Sequence, residues 1–125
     1  MKVFTLDEAN SVIETYRKDI LSLTRFYRQI DELGEASRQA AANAKNGGGG
    51  MIGGTKYVEN LYEIGRLITA LTAEGIQIKD PRRGLIDFPS FRNGKLVLLC
   101  WEPSDGNKIS FWHDVESGYA GRQPI

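Results

Sequence analysis

The chain has 125 residues, of which 41% are hydrophobic and 26% charged, and its 16 Lys+Arg balance its 16 Asp+Glu. That length is one domain of ordinary size, the apolar share suffices for a core, and the even charge lacks the basic surplus of nucleic-acid binders. The longest apolar run, Leu96 to Trp101, is far short of a membrane span, and Cys100 alone cannot form an intrachain disulfide.

Charge is even along the chain as well, with nine basic and ten acidic residues in 1–75 and seven and six in 76–125. Asp7 and Glu8 stand where a signal peptide needs an apolar stretch. With a single thiol, this points to a reducing, cytoplasmic home.

Thr5-Leu6-Asp7-Glu8 reads as a capping box. Leu6, Ala9, Ile13, Tyr16, Ile20, Leu23, Tyr27 and Ile30 then follow in steps of three and four, with Val12, Phe26 and Leu33 widening the stripe. This pattern predicts one long amphipathic helix from about Leu6 to the early forties, with a polar far end from Glu35 to Lys45 that protrudes or frays. Residues 46–54 contain six glycines and read as a flexible connector. The stretch from Gly49 to Lys56 departs from a phosphate-binding loop, because its lysine is displaced by one place and a helix precedes it. A second helix is expected from about Lys56 to Glu74, with Tyr57, Leu61, Ile64, Ile68 and Leu71 on its seam and Gly75 as its cap.

From Ile76 the period becomes two. Short strands are expected at Ile76–Lys79 and at Leu85–Phe91, the latter broken by Pro89. Asn93-Gly94 is a two-residue hairpin turn, Lys95–Trp101 the central strand, and Ile109–His113 the last strand before an irregular tail from Ser117 to Ile125. The architecture expected is α+β: a long antiparallel two-helix hairpin (1–75) followed by a small antiparallel β-meander and tail (76–125), forming a single domain over 1–125.

Chemistry-bearing residues concentrate in the strand half. His113 is the only histidine, and Asp114 and Glu116 follow it. One histidine with Asp80, Asp87 or Asp114 could hold a divalent metal with open water positions. No other cofactor is called for. Asp87 sits between Ile86 and Phe88, where an unpaired carboxylate would be costly. Lys79, Arg82, Arg83, Arg92, Arg122 or His113 must then supply its partner, or the carboxylate must lie in a cleft. Cys100, between Leu99 and Trp101, is expected to be buried and chemically quiet. Trp101, Trp112, Phe88 and Tyr119 are read as core and interface packing rather than base-stacking groups.

Two sets of residues resemble a family of small uncharacterised bacterial proteins, a domain of unknown function. One comprises Phe4-Thr5, Glu8-Ala9-Asn10, Lys79-Asp80-Pro81, Gly84-Leu85 and Asp87-Phe88-Pro89. The other comprises Leu99-Cys100-Trp101, Trp112-His113 and Gly118-Tyr119-Ala120-Gly121-Arg122-Gln123-Pro124. The resemblance spans nearly the whole chain and implies a bacterial cytoplasmic origin without an assigned activity. Relatives tend to carry Gly-Glu before the final strand, where this chain has Pro103-Ser104-Asp105-Gly106-Asn107, and the glycine-rich connector is not a hallmark of the family.

Two functions follow. The first is a non-enzymatic binding or interaction module that forms homo-oligomers through its helices, covering the flank at Val12, Phe26 and Leu33. The alternative is a small metal-assisted or acid–base enzyme in which His113 is ligand or base, Asp87 with Asp80 or Asp114 supplies carboxylates, and Arg122 orients an anionic substrate. Membrane association is not expected, and nucleic acid carries little weight as a partner.

Overall fold

The computed structural model describes residues 1–44 and 54–125. Helix α1 (Leu6–Ala44) starts on the expected capping box: Thr5 N–H donates to Glu8 Oε1 at 2.9 Å, and Glu8 N–H donates to Thr5 Oγ1 at 3.1 Å. Helix α2 spans Gly54–Ala73, so Gly54 opens it and the rest of the proposed connector lies outside the described residues. The two helices form the predicted hairpin, and Tyr16 near the start of α1 donates to Glu74 just past the end of α2 at 2.8 Å. Among the described residues no helix is long and apolar enough to cross a membrane.

The α1 stripe is read correctly: Ala9, Ile13, Ile20 and Leu23 are fully buried, and Leu6, Tyr16, Tyr27 and Ile30 pack around them. The α2 seam is rotated from expectation. Asn60, Ile64, Leu67 and Leu71 face inward, whereas Leu61 is exposed. At 3.6 residues per turn a straight helix drifts off a strict heptad, and α2 must contact β1 as well as α1. Val12 and Phe26 pack against this chain's own core, so the surplus apolar flank is narrower than the sequence implied. Beyond Glu35 the described α1 side chains are exposed, as expected for a projecting end.

Gly75 takes φ +91°, and a Cβ there would stand 3.0 Å from the ring of buried Phe4. Glycine is therefore required both by backbone conformation and by space. The chain then forms five antiparallel strands in sequence order: β1 (Gln77–Asp80), β2 (Leu85–Arg92), β3 (Lys95–Trp101), β4 (Phe111–Asp114) and β5 (Gln123–Pro124). β3 is central, and the β2–β3 turn has positive φ at both Asn93 (53°) and Gly94 (77°), as its sequence predicts.

Three details differ from the sequence reading. β2 runs unbroken through Pro89, because β1 pairs no further along β2 than Asp87 and the proline leaves no vacant ladder position. The Pro89 carbonyl accepts instead from Phe4 N–H at 2.7 Å. β4 begins at Phe111 rather than Ile109, whose N–H is taken by the Asn10 side chain of α1 at 2.8 Å. The tail is not wholly irregular: Gln123 and Pro124 pair with Trp112 and Phe111 as β5.

Alternation divides the sheet into two faces. Ile86, Phe88, Leu99 and Trp101 join the helices in one core. Asp87, Leu98, Cys100 and His113 point to the other face and are nevertheless buried. Val115, Gly118 and Tyr119 of the segment after β4 line the space above them.

Candidate metal centre on the second sheet face

The Asn-Gly turn fixes which residues meet. A two-residue loop pairs Arg92 with Lys95, and counting back along both strands sets Asp87 directly opposite Cys100. On the other side of β3, Cys100 faces Phe111 and Leu98 faces His113, which puts His113 on the diagonal from Cys100. Asp87, Cys100 and His113 are all buried, and their ligand-type atoms lie within 4.8 Å of one another.

His113 answers the question of Asp87's partner: its Nε2 is 3.0 Å from Asp87 Oδ2, with both side chains almost fully enclosed. The ring's other nitrogen, Nδ1, is 2.7 Å from the backbone carbonyl of Asp114. A carbonyl only accepts, so Nδ1 carries hydrogen and donates to it. Nε2 is thereby aimed at the Asp87 carboxylate. The second carboxylate oxygen, Asp87 Oδ1, is buried with no hydrogen-bond partner. Such an orphaned acceptor carries a desolvation cost of about 1–3 kcal/mol unless something binds it.

Cys100 is as buried as expected, but its position is not incidental. Its thiol is pushed up to about 12, first by burial and then by the Asp87 charge across the strand pair. It is thus a protonated thiol in the free protein, and a cation would be needed to hold it as thiolate.

The other sequence candidates lie elsewhere. Asp80 Oδ1 accepts from Arg82 N–H at 3.1 Å, closing the β1–β2 turn, and Asp114 Oδ1 is 3.1 Å from Lys95 Nζ. Neither joins the cluster. Arg122 stands one layer away. It pairs with Asp105, reaches the Cys100 carbonyl at 3.4 Å, and lies between the rings of Phe111 (4.1 Å) and Tyr119 (4.8 Å). Arg83 stacks on Tyr119 at 4.3 Å and pairs with Glu102 at 2.7 Å. Two neutralised guanidiniums therefore clamp Tyr119 at the rim of the site.

Above the cluster lies a cavity of about 150 Å³ whose lining includes Lys79, Leu85, Leu98, Val115 and Tyr119 as well as the three clustered residues. Sequence reasoning missed Cys100 as a member of this set. The signal was present in the hairpin register, which places it opposite Asp87. The Arg122–Asp105 and Arg83–Glu102 pairs carried no sequence signal, since they join residues 17 and 19 positions apart.

No curated protein and no solved structure matches the chain. A family model does, over residues 2–125, and its description agrees with the resemblance drawn from the motifs. The chain belongs to the family described as uncharacterized conserved protein (DUF2203).

Proposed function

We propose that this protein binds a zinc-type divalent cation through Asp87, Cys100 and His113, and that the remaining coordination position opens on the cavity beside Tyr119. The observation that carries the reading is the convergence of three buried ligand-type atoms within 4.8 Å. Zinc bonds of about 2.0–2.3 Å at tetrahedral angles put ligand atoms roughly 3.3–3.8 Å apart. The Asp87–His113 distance of 3.0 Å and the 4.8 Å limit on the cluster bracket that spacing. Shifts of an ångström or less would close the site.

The surroundings support the same reading. Metal-ligating histidines usually donate their second ring N–H to a carbonyl or carboxylate, as Nδ1 does to Asp114. A mixed carboxylate, thiolate and imidazole set suits zinc better than magnesium or calcium. Three protein ligands with one position free is the pattern of catalytic rather than structural zinc, so the reading includes metal-assisted chemistry on a small molecule. Asp80 and Asp114 drop out as ligands, and Arg122 becomes a positioning residue that fixes Tyr119. The single, metal-engaged thiol is in keeping with a bacterial cytoplasm.

Elemental analysis of untagged protein purified without chelators tests this. Near-stoichiometric zinc or a similar metal in the parent, lost from Cys100→Ser with the fold retained by circular dichroism, is the expected result. A metal-free parent that also fails to take up added zinc overturns the reading.

A second reading, self-association through the helices, has its own support. Val58, Leu61, Tyr62 and Gly65 form a stripe on the outer face of α2; its three apolar side chains are exposed, and nothing lies within 4 Å of where a Gly65 Cβ would be. Spacing of three, four and seven residues suits a helix of a second copy. Light scattering that gives a monomer at tens of micromolar contradicts it.

A further inference from the structure

Resting on the metal reading, we infer that the cavity takes a small carboxylate, which coordinates the metal through one oxygen and is held by the ammonium of Lys79. Three features lead there. The first is size: a cavity of about 150 Å³ accommodates roughly one benzene-sized molecule. Acetate, propionate or a slightly longer chain fits, whereas a nucleotide or sugar does not.

The second is charge. A divalent cation with one carboxylate, one thiolate and a neutral imidazole is neutral overall, so the metal itself does not demand an anion. Lys79 is exposed on β1, lines the cavity, and has no carboxylate within ion-pair distance among the described residues. The other cations near the rim, Arg83 and Arg122, are already matched by Glu102 and Asp105. One unneutralised positive charge beside one open metal position selects a monoanion.

The third is the wall. Leu85, Leu98 and Val115 supply the apolar part of the lining. A bare inorganic anion would leave these side chains facing empty or wet space, whereas a short aliphatic tail covers them. Tyr119 completes the lining, its ring 4.3 Å from the Arg83 guanidinium and 4.8 Å from that of Arg122.

The test uses the full chain loaded with cobalt(II), whose visible bands report a thiolate-containing tetrahedral site. Propionate added to the cobalt protein is expected to shift those bands saturably, while propionamide, of equal shape and no charge, leaves them unchanged. Lys79→Met, an exposed substitution outside the ligand set, is expected to retain the cobalt spectrum and weaken propionate by about three- to tenfold. Bands that no carboxylate perturbs, or that propionate shifts equally in Lys79→Met, overturn the inference and leave the metal site standing. Failure of cobalt to give any such bands overturns the metal reading itself.

Discussion

Replacing Asp87 by asparagine removes a charge from the sheet while keeping its shape, and the consequences for folding and for metal binding should part. In the parent, His113 Nε2 and Asp87 Oδ2 lie 3.0 Å apart, with side-chain exposures of 3% and 2%, so the pair has no help from solvent. The substituted amide can donate to Nε2 of a neutral His113 whose Nδ1 still donates to Asp114. One neutral hydrogen bond worth about 1 kcal/mol replaces the charged contact, and the desolvation cost of a buried carboxylate disappears. The net change in stability is expected to stay within about 1 kcal/mol. With about 2.1 cal/mol/K of unfolding entropy per residue, that is roughly 4 °C in Tm for a chain of this length. Metal affinity behaves differently, because an amide is a poor substitute for an anionic ligand. Outer-sphere partners alone are worth about 10–100-fold, so loss of a direct ligand should exceed ~100-fold. Thermal melts of metal-free protein and competition against a chromophoric chelator measure the two quantities. Parent-like metal affinity in Asp87→Asn, or a Tm loss above roughly 10 °C in the metal-free protein, would refute the reasoning.

Other substitutions probe neighbouring parts of the account. His113→Ala leaves a buried carboxylate without its partner and should cost about 3–5 kcal/mol in denaturant unfolding of the metal-free chain; a loss below ~1 kcal/mol contradicts the buried pair. The Cys100 thiol is raised to about 12 from an ordinary 9. The stability it contributes is therefore complete below about pH 9 and is lost as pH rises toward 12, at up to ~1.4 kcal/mol per unit. Cys100→Ala should flatten that alkaline decline in the metal-free protein, and an unchanged decline refutes the assignment. Gly84 takes φ +70°, and a Cβ there would meet Pro103 Cδ at 3.0 Å and Ile20 Cγ2 at 3.1 Å. Gly84→Ala should therefore destabilise by about 1–3 kcal/mol in thermal unfolding, whereas a neutral result would mean that the turn can relax.

Most of the scaffold could be read from residues because its signals are local. Thr5 and Glu8 lie three apart and cap α1 as their spacing requires, and Asn93-Gly94 forces both positive φ values of the β2–β3 turn. The readings that missed depended on partners distant in sequence. Pro89 is tolerated because β1 ends before reaching it, and Ile109 leaves β4 because Asn10 of α1 takes its amide. Leu61 is exposed although it sits on the seam that the periodicity of α2 predicts, because one helix's periodicity does not say what that helix packs against. The site divides in the same way. Asp87 signalled its need for a partner by sitting between core residues, and His113 met that need. Cys100 looked like ordinary core until the hairpin register set it against Asp87. Arg122 was legible as important but not as a clamp, since Asp105, Phe111 and Tyr119 meet it only in the folded chain.

The most direct test of the metal centre is a calorimetric titration of zinc into metal-free protein near pH ~7, repeated in buffers that differ in protonation enthalpy. Cys100 is a neutral thiol before the metal arrives. The metal centre predicts one zinc per chain with release of at least one proton, that of the thiol. Absence of binding, or binding that releases no proton to either buffer, would contradict it.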